Sequence, residues 1–154
     1  MKISNTRGQS LFELVLAIGV SALIIVVLVS LVSNALQNAA FAKNQTLAAR
    51  YSQSATEWLR GQRDNNIDTF MTNVTTPTWC LKDEPLTNAS WNKVGACSTS
   101  DVISGTPLIR QVDFTVSVTG GKTIVQAMVK VRWTDTKGTH DVNSSTNFSD
   151  WRQR

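Results

Sequence analysis

Three regimes of hydrophobic patterning follow one another along the chain. The first is continuous. From Leu14 to Val32 the sequence reads LVLAIGVSALIIVVLVSLV, 19 residues interrupted only by Gly19, Ser21 and Ser30. About 20 apolar residues at roughly 1.5 Å each cross a hydrocarbon core of about 30 Å. The serines can bond to carbonyls of their own helix, so they do not prevent insertion. A chain of 154 residues has little core in which to hide such a helix on every side. A membrane-crossing helix is therefore expected here.

The second regime has helical period. Residues 34–68 contain no proline and one glycine, Gly61. Leu47, Tyr51, Ala55 and Trp58 recur at steps of four, four and three, with Ala48 and Leu59 beside them. That is one face of an amphipathic helix. Lys43, Arg50, Glu57, Arg60 and Arg63 lie largely around the remainder, and Glu57 is placed to meet Arg60 one turn on. Asn65-Asn66 reads as the helix end. A single helix from about Ser10 to Asp64 is roughly 80 Å long.

The third regime has period two. Residues 69–107 form a polar connecting region rich in Thr, Ser and Asn, with Pro77, Pro85 and Pro107. From Leu108 onward Val112, Phe114, Val116 and Val118 alternate with polar residues, and Gly120-Gly121 signals a hairpin. Val125, Ala127, Val129, Val131 and Trp133 make one face of a second strand. Thr136-Lys137-Gly138 is a second turn, and His140, Val142 and Ser144 lead a third strand to Phe148. The expected fold class is α+β: one long N-terminal helix packed on a small antiparallel β-sheet in 108–154. Each hides the apolar side of the other.

Charge changes the picture at the N-terminus. Charged residues are 17% of the chain, below the ~25% of an ordinary soluble domain. The deficit is local: the 29 residues 14–42 carry no charge. Lys2 and Arg7 precede the apolar run and place the N-terminus on the cytoplasmic side, with the remainder outside. A secretory signal has its small-residue cleavage site after the apolar stretch. Here the small residue, Gly8, comes before it. Glu13 directly precedes the run, and an acid at membrane depth costs on the order of 2.5 kcal/mol or more without a cationic partner. Cleavage after Gly8 would expose an α-amine on Gln9, four residues before Glu13.

Gly8, Gln9, Ser10, Leu11, Phe12 and Glu13, followed by the apolar helix, resemble the prepilin motif of type IV pilins and type II secretion pseudopilins. The resemblance implies a leader, 1–8, removed by prepilin peptidase between Gly8 and Gln9. It implies an often methylated mature N-terminus. It implies that Glu13, fifth in the mature chain, pairs with the α-amine of a neighbouring subunit during assembly. On this division 9–33 is the membrane and filament-core helix and 34–68 its amphipathic half. Two departures stand out. Family members most often begin with phenylalanine where Gln9 stands, and major pilins tend to carry a proline deeper in the helix, where this chain has none before Pro77. These departures, and a likeness of WLRGQRD (58–64) to minor pilins of the PilV kind and their secretion counterpart GspI, lean towards a minor subunit.

Cys80 and Cys97 are the only cysteines. A domain facing an oxidising compartment is expected to join them in a disulfide, closing the connecting region; two free thiols are the alternative. With one distant histidine, His140, they make no zinc site. No P-loop, GxSxG or HExxH is present, and His140 lacks a nameable nucleophile or orienting partner. No enzyme activity, cofactor or metal is expected.

The leading expectation is a structural subunit of a type IV pilus or a secretion pseudopilus. It begins in the inner membrane with its C-terminus outside and ends in an extracellular or periplasmic filament. Its implied partners are other pilin subunits, prepilin peptidase, a cytoplasmic assembly ATPase and a membrane platform protein. A surface adhesin or DNA-capturing pilin on the same anchor is the competing expectation. Trp151, Arg152 and Arg154 offer a small basic-aromatic tail for it, although a net charge of +4 is mild for phosphate binding.

Overall fold

The structure is a computed structural model that describes residues 7–149, and the side chains of 7–10 are not part of that description. Helix α1 spans Arg7–Asn65. The chain divides into two compact units, Met1–Ala42 and Lys43–Arg154. The first consists, in its described part, of α1 residues alone, and the second holds the rest of the fold.

Within Lys43–Arg154, α1 is followed by α2 (Ile67–Val74), β1 (Thr78–Cys80), β2 (Ile109–Thr119), β3 (Lys122–Asp135) and β4 (Gly138–Ser149). The strands form one antiparallel sheet in the order β1-β2-β3-β4. The expected α+β class, with a long helix packed on a small antiparallel sheet, is what the structure has.

α1 ends at the Asn-Asn pair. Asn66 adopts an extended backbone, φ −154° and ψ 92°, and its side chain accepts a hydrogen bond from the Thr69 amide at 3.0 Å. It is thus the N-cap of a second helix rather than the start of a loop. The amphipathic half therefore stops short of 68, and the connecting region does not begin at 69. Ile67, Phe70 and Val74 are buried at steps of three and four, which is the force that extends α2 over Ile67–Val74.

The buried face of α1 is also rotated from the expected one. Ala48, Ser52, Ala55, Thr56 and Leu59 are buried, whereas Leu47, Tyr51 and Trp58 are half-buried at the flanks. The reason is bulk. The sheet presents Val112, Phe114, Val125, Val129, Val131, Trp133 and Phe148 to the core. Small helix residues leave room for such side chains on the facing side. Of the two hydroxyls in this stripe, Thr56 Oγ1 donates to the Ser52 carbonyl at 3.0 Å and meets Ser144 Oγ at 3.4 Å, whereas Ser52 Oγ is buried with no hydrogen-bond partner among the described residues.

The two hairpins match the turn chemistry. Thr119 pairs with Lys122 across Gly120 and Gly121, whose φ values of 59° and 77° are the left-handed pair that a two-residue hairpin needs. Asp135 pairs with Gly138 at the second turn. The face of β3 is buried throughout, as its alternation predicts. That of β2 is not: Val112 and Phe114 are buried, but Val116 is 46% and Val118 70% exposed. β1 pairs only with Gln111–Asp113, so β2 becomes an edge strand beyond that point and its tip leaves the covered part of the sheet.

β1 was hidden in the polar connecting region. The Cys80–Cys97 disulfide, with Cα atoms 5.0 Å apart, returns the chain against it. The Cys80 amide donates to the Lys93 carbonyl at 2.9 Å, and the Gly95 amide to the Thr78 carbonyl at 2.8 Å. Further along this loop Asp101 accepts from the Ser98 amide and hydroxyl, each at 2.6 Å, and from Lys93 Nζ at 2.5 Å. Hydrogen bonds from Lys93 and then Ser98 hold its carboxyl well below the usual carboxylate range.

Two outcomes follow. Reducing the disulfide should lower stability by about 3 kcal/mol, the chain-entropy value for a loop of this size, as read by denaturant midpoints with and without reductant. For Asp101, the folded-state pKa is depressed, so its contribution is present above the unfolded pKa of about 4 and is lost as pH falls through the lower folded value. The midpoint difference between the native chain and Asp101→Asn should therefore be largest near neutrality and close in strong acid. A gap that persists unchanged at low pH would show that these hydrogen bonds carry no linkage.

Candidate membrane and assembly helix

In the unit Met1–Ala42 every described side chain from Leu11 to Ala40 is exposed. Seventeen of these are large hydrophobic side chains, from Leu11 through Leu36. They lie on all sides of the helix, because the run contains no polar stripe. An 18-residue window reaches a mean hydropathy of 3.1, and the helix is long and apolar enough to cross a membrane. Ser21 meets the requirement of such an environment: its hydroxyl donates to the Ala17 carbonyl at 2.8 Å, four residues back.

Glu13 sits in this helix with its side chain exposed and no ion pair among the described residues. The next cation along the sequence is Lys43. Gly8 and Gln9 lie in the first turn of α1, where the backbone alone is described. Residues 1–6 of the expected leader, and Trp151, Arg152 and Arg154 of the basic tail, lie outside the described residues.

In the unit Lys43–Arg154 the structure joins Cys80 to Cys97 and brings together a cluster that the sequence reading missed. Arg110 stands on β2 in phase with Val112 and Phe114, so its side chain enters the core and is fully buried. Its guanidinium donates to the Leu81 carbonyl at 3.1 Å, the Asp83 carbonyl at 2.6 Å, the Tyr51 carbonyl at 3.4 Å and Glu84 Oε2 at 3.1 Å. It also lies 5.7 Å from the Tyr51 ring centroid. Burial pushes its pKa down, and Glu84 opposes that shift. The signal was in the strand period: residue 110 shares parity with Val112 and Phe114, so an arginine occupies an apolar face.

A chain of rings packs elsewhere in the head. Trp91 packs on Trp58 (4.8 Å between centroids), Trp79 (5.1 Å) and Phe114 (6.1 Å), and Phe70 meets both Phe114 (6.4 Å) and Phe148 (5.4 Å). Trp79 and Trp91 thus take part in ring packing within the head. His140 Nε2 lies 3.0 Å from Asp135 Oδ1 and its ring 5.3 Å from that of Trp133, so it braces the β3–β4 turn. Among the described residues no group of three or more His, Cys, Asp or Glu side chains is placed to hold a metal ion.

The apolar helix and the buried arginine each generate a test. Val26→Arg puts a charge at the middle of the apolar run, at a cost of about 2.5–3.5 kcal/mol for insertion. The variant should shift from the carbonate-resistant membrane fraction to the soluble or aggregated one, and unchanged fractionation would argue against a spanning helix. Arg110→Met should destabilise the head by about 3 kcal/mol, because it strands Glu84 and three carbonyls. Glu84→Gln should cost markedly less, since Glu84 is 33% exposed and the carbonyls still hold the guanidinium. Urea titration of both variants measures the difference.

No protein-family model matches this chain, and neither a curated protein nor a solved structure does.

Proposed function

We propose that the chain is a structural subunit of a type IV pilus or of a related secretion pseudopilus, made as a membrane-anchored precursor and assembled through its N-terminal helix. One observation carries the reading: an exposed, all-round apolar helix with a single unpaired acid, Glu13, at its start. The α+β head with its disulfide is compatible with it.

The mechanism is physical. Lys2 and Arg7 hold the N-terminus in the cytoplasm while the head is exported. Prepilin peptidase cuts between Gly8 and Gln9, which removes two cations and lowers the net charge from +4 to +2. The new α-amine of one subunit then neutralises Glu13 of another, and the apolar helices leave lipid for each other. Leaving lipid brings little hydrophobic gain, so packing and this ion pair must supply the specificity. The unusual Gln9, the absence of a helix proline and WLRGQRD favour a minor subunit.

Intact mass and N-terminal sequencing of the membrane-bound protein, from cells with and without prepilin peptidase, test the reading. The expected mature chain begins at Gln9 only when the peptidase is present. Retention of Met1 in both strains would overturn the proposal. Glu13→Val should leave cleavage intact and reduce incorporation into sheared filaments; normal incorporation would remove the ion pair from the mechanism.

A further inference from the structure

A cleft of about 360 Å³ opens in the head where α1 gives way to α2. Its lining is unusual in kind. Asn65, Asn66, Asn73 and Asn88 contribute carboxamides, Thr69 a hydroxyl and Trp91 an indole; Gln62 completes it. No lining side chain is ionisable.

Part of this set is already engaged, and that part fixes the shape. Gln62 Nε2 donates to Asn88 Oδ1 at 2.7 Å, and Gln62 Oε1 accepts from Trp91 Nε1 at 3.3 Å. Asn66 Oδ1 caps α2. The Asn73 carbonyl accepts from Trp79 Nε1 at 3.0 Å, which ties that end of α2 to β1. Trp91 itself is held by Trp58, Trp79 and Phe114.

The other part is unspent. The Asn65 and Asn73 carboxamides, the NH₂ groups of Asn66 and Asn88 and the Thr69 hydroxyl make no hydrogen bond among the described residues. Donors and acceptors thus converge, on a pre-organised frame, around a concave space with one aromatic wall. That combination is the general form of a ligand site. The ligand chemistry follows from the lining. A charged ligand would lose hydration with no counter-charge to meet it. An apolar ligand would leave the amides unpaired. A polyhydroxylated neutral ligand matches both demands, since its hydroxyls both donate and accept while its C–H faces suit an indole.

We propose that this cleft binds neutral carbohydrate, a sugar residue hydrogen-bonded by Asn65, Asn73 and Thr69 and bounded by Trp91. The binding belongs to the head and does not rest on assembly through the N-terminal helix. Saturation-transfer NMR tests it, on the full chain in lipid nanodiscs, which avoids sugar-based detergents. The probes are chitotriose and lactose, with a Ser-Gly-Ser tripeptide as control. At least one sugar should bind in the millimolar range and the tripeptide should not. The double variant Asn65→Ala/Asn73→Ala should weaken sugar binding about five-fold or more with an unchanged thermal transition, because neither side chain supports the fold. Thr69→Val, which keeps the capped backbone amide, should weaken it in the same direction. Binding of neither sugar, preference for the tripeptide, or sugar binding unaffected in the double variant would each overturn the proposal.

Discussion

A cation taken fully out of water has to be surrounded by partners, and in the head that demand falls on Arg110. Its guanidinium needs carbonyls and a carboxylate arranged within hydrogen-bonding distance, and they come from two separate stretches of chain. Tyr51 of α1 offers one carbonyl, and residues 81–84 offer two more together with Glu84. None of these is near Arg110 in sequence. Meeting the demand therefore fixes the helix, the start of the disulfide loop and β2 relative to one another. A buried ion pair contributes little net stability over an apolar alternative, but its geometry is unforgiving. The disulfide assists, because Cys80 directly precedes the segment that supplies the carbonyls and pins its departure from β1.

The packing elsewhere shows how a small head compensates for a thin helix stripe. α1 buries alanine, serine, threonine and only one large aliphatic residue, Leu59. The bulk is supplied elsewhere: by the valines of β2 and β3, and by the rings running from Trp58 through Trp91 and Phe114 to Phe70 and Phe148. Each ring in that series belongs to a different element, so the aromatic chain stitches helix, loop and sheet together. Arg63 adds a cation 5.4 Å from the Phe148 ring at its end.

Much of this was legible in the sequence, and what was not has physical reasons. The apolar run, the Asn-Asn helix end, the Gly-Gly hairpin and the buried face of β3 follow from local rules, and each stands where the period or turn residue put it. α2 was missed because an eight-residue helix inside a polar region offers barely two turns of periodicity, with only Ile67, Phe70 and Val74 buried. β1 was missed because three residues carry no period at all, and it exists only through pairing with β2 and the returning loop. Val116 and Val118 continue the β2 alternation, yet burial depends on what covers a face, and that is a tertiary fact. Of the candidate site residues, Cys80 and Cys97 meet as expected. Glu13 is visible as an exposed acid with no ion pair among the described residues.

On the proposed assembly reading, the leader and the acid constrain each other. While Met1–Gly8 is attached, the helix begins before Gln9 and Glu13 lies well inside it, with no amine at hand. Cleavage changes two things at once. It creates a cation at Gln9, and it makes Gln9 the helix start, so Glu13 moves close to the positive end of the macrodipole. An α-amine four residues before Glu13 lies along the same helix face as the acid, so a mature monomer could partly satisfy itself. A filament must do better than that internal contact. The neighbour's amine has to approach from the side, inside a packed apolar bundle where competing water is excluded and the Coulomb attraction is correspondingly stronger. The long uncharged run after Glu13 is what makes this possible. With no second charge before Lys43 to offer a wrong register, the acid is the one charged mark by which apolar helices, otherwise free to slide, can be set at a single height.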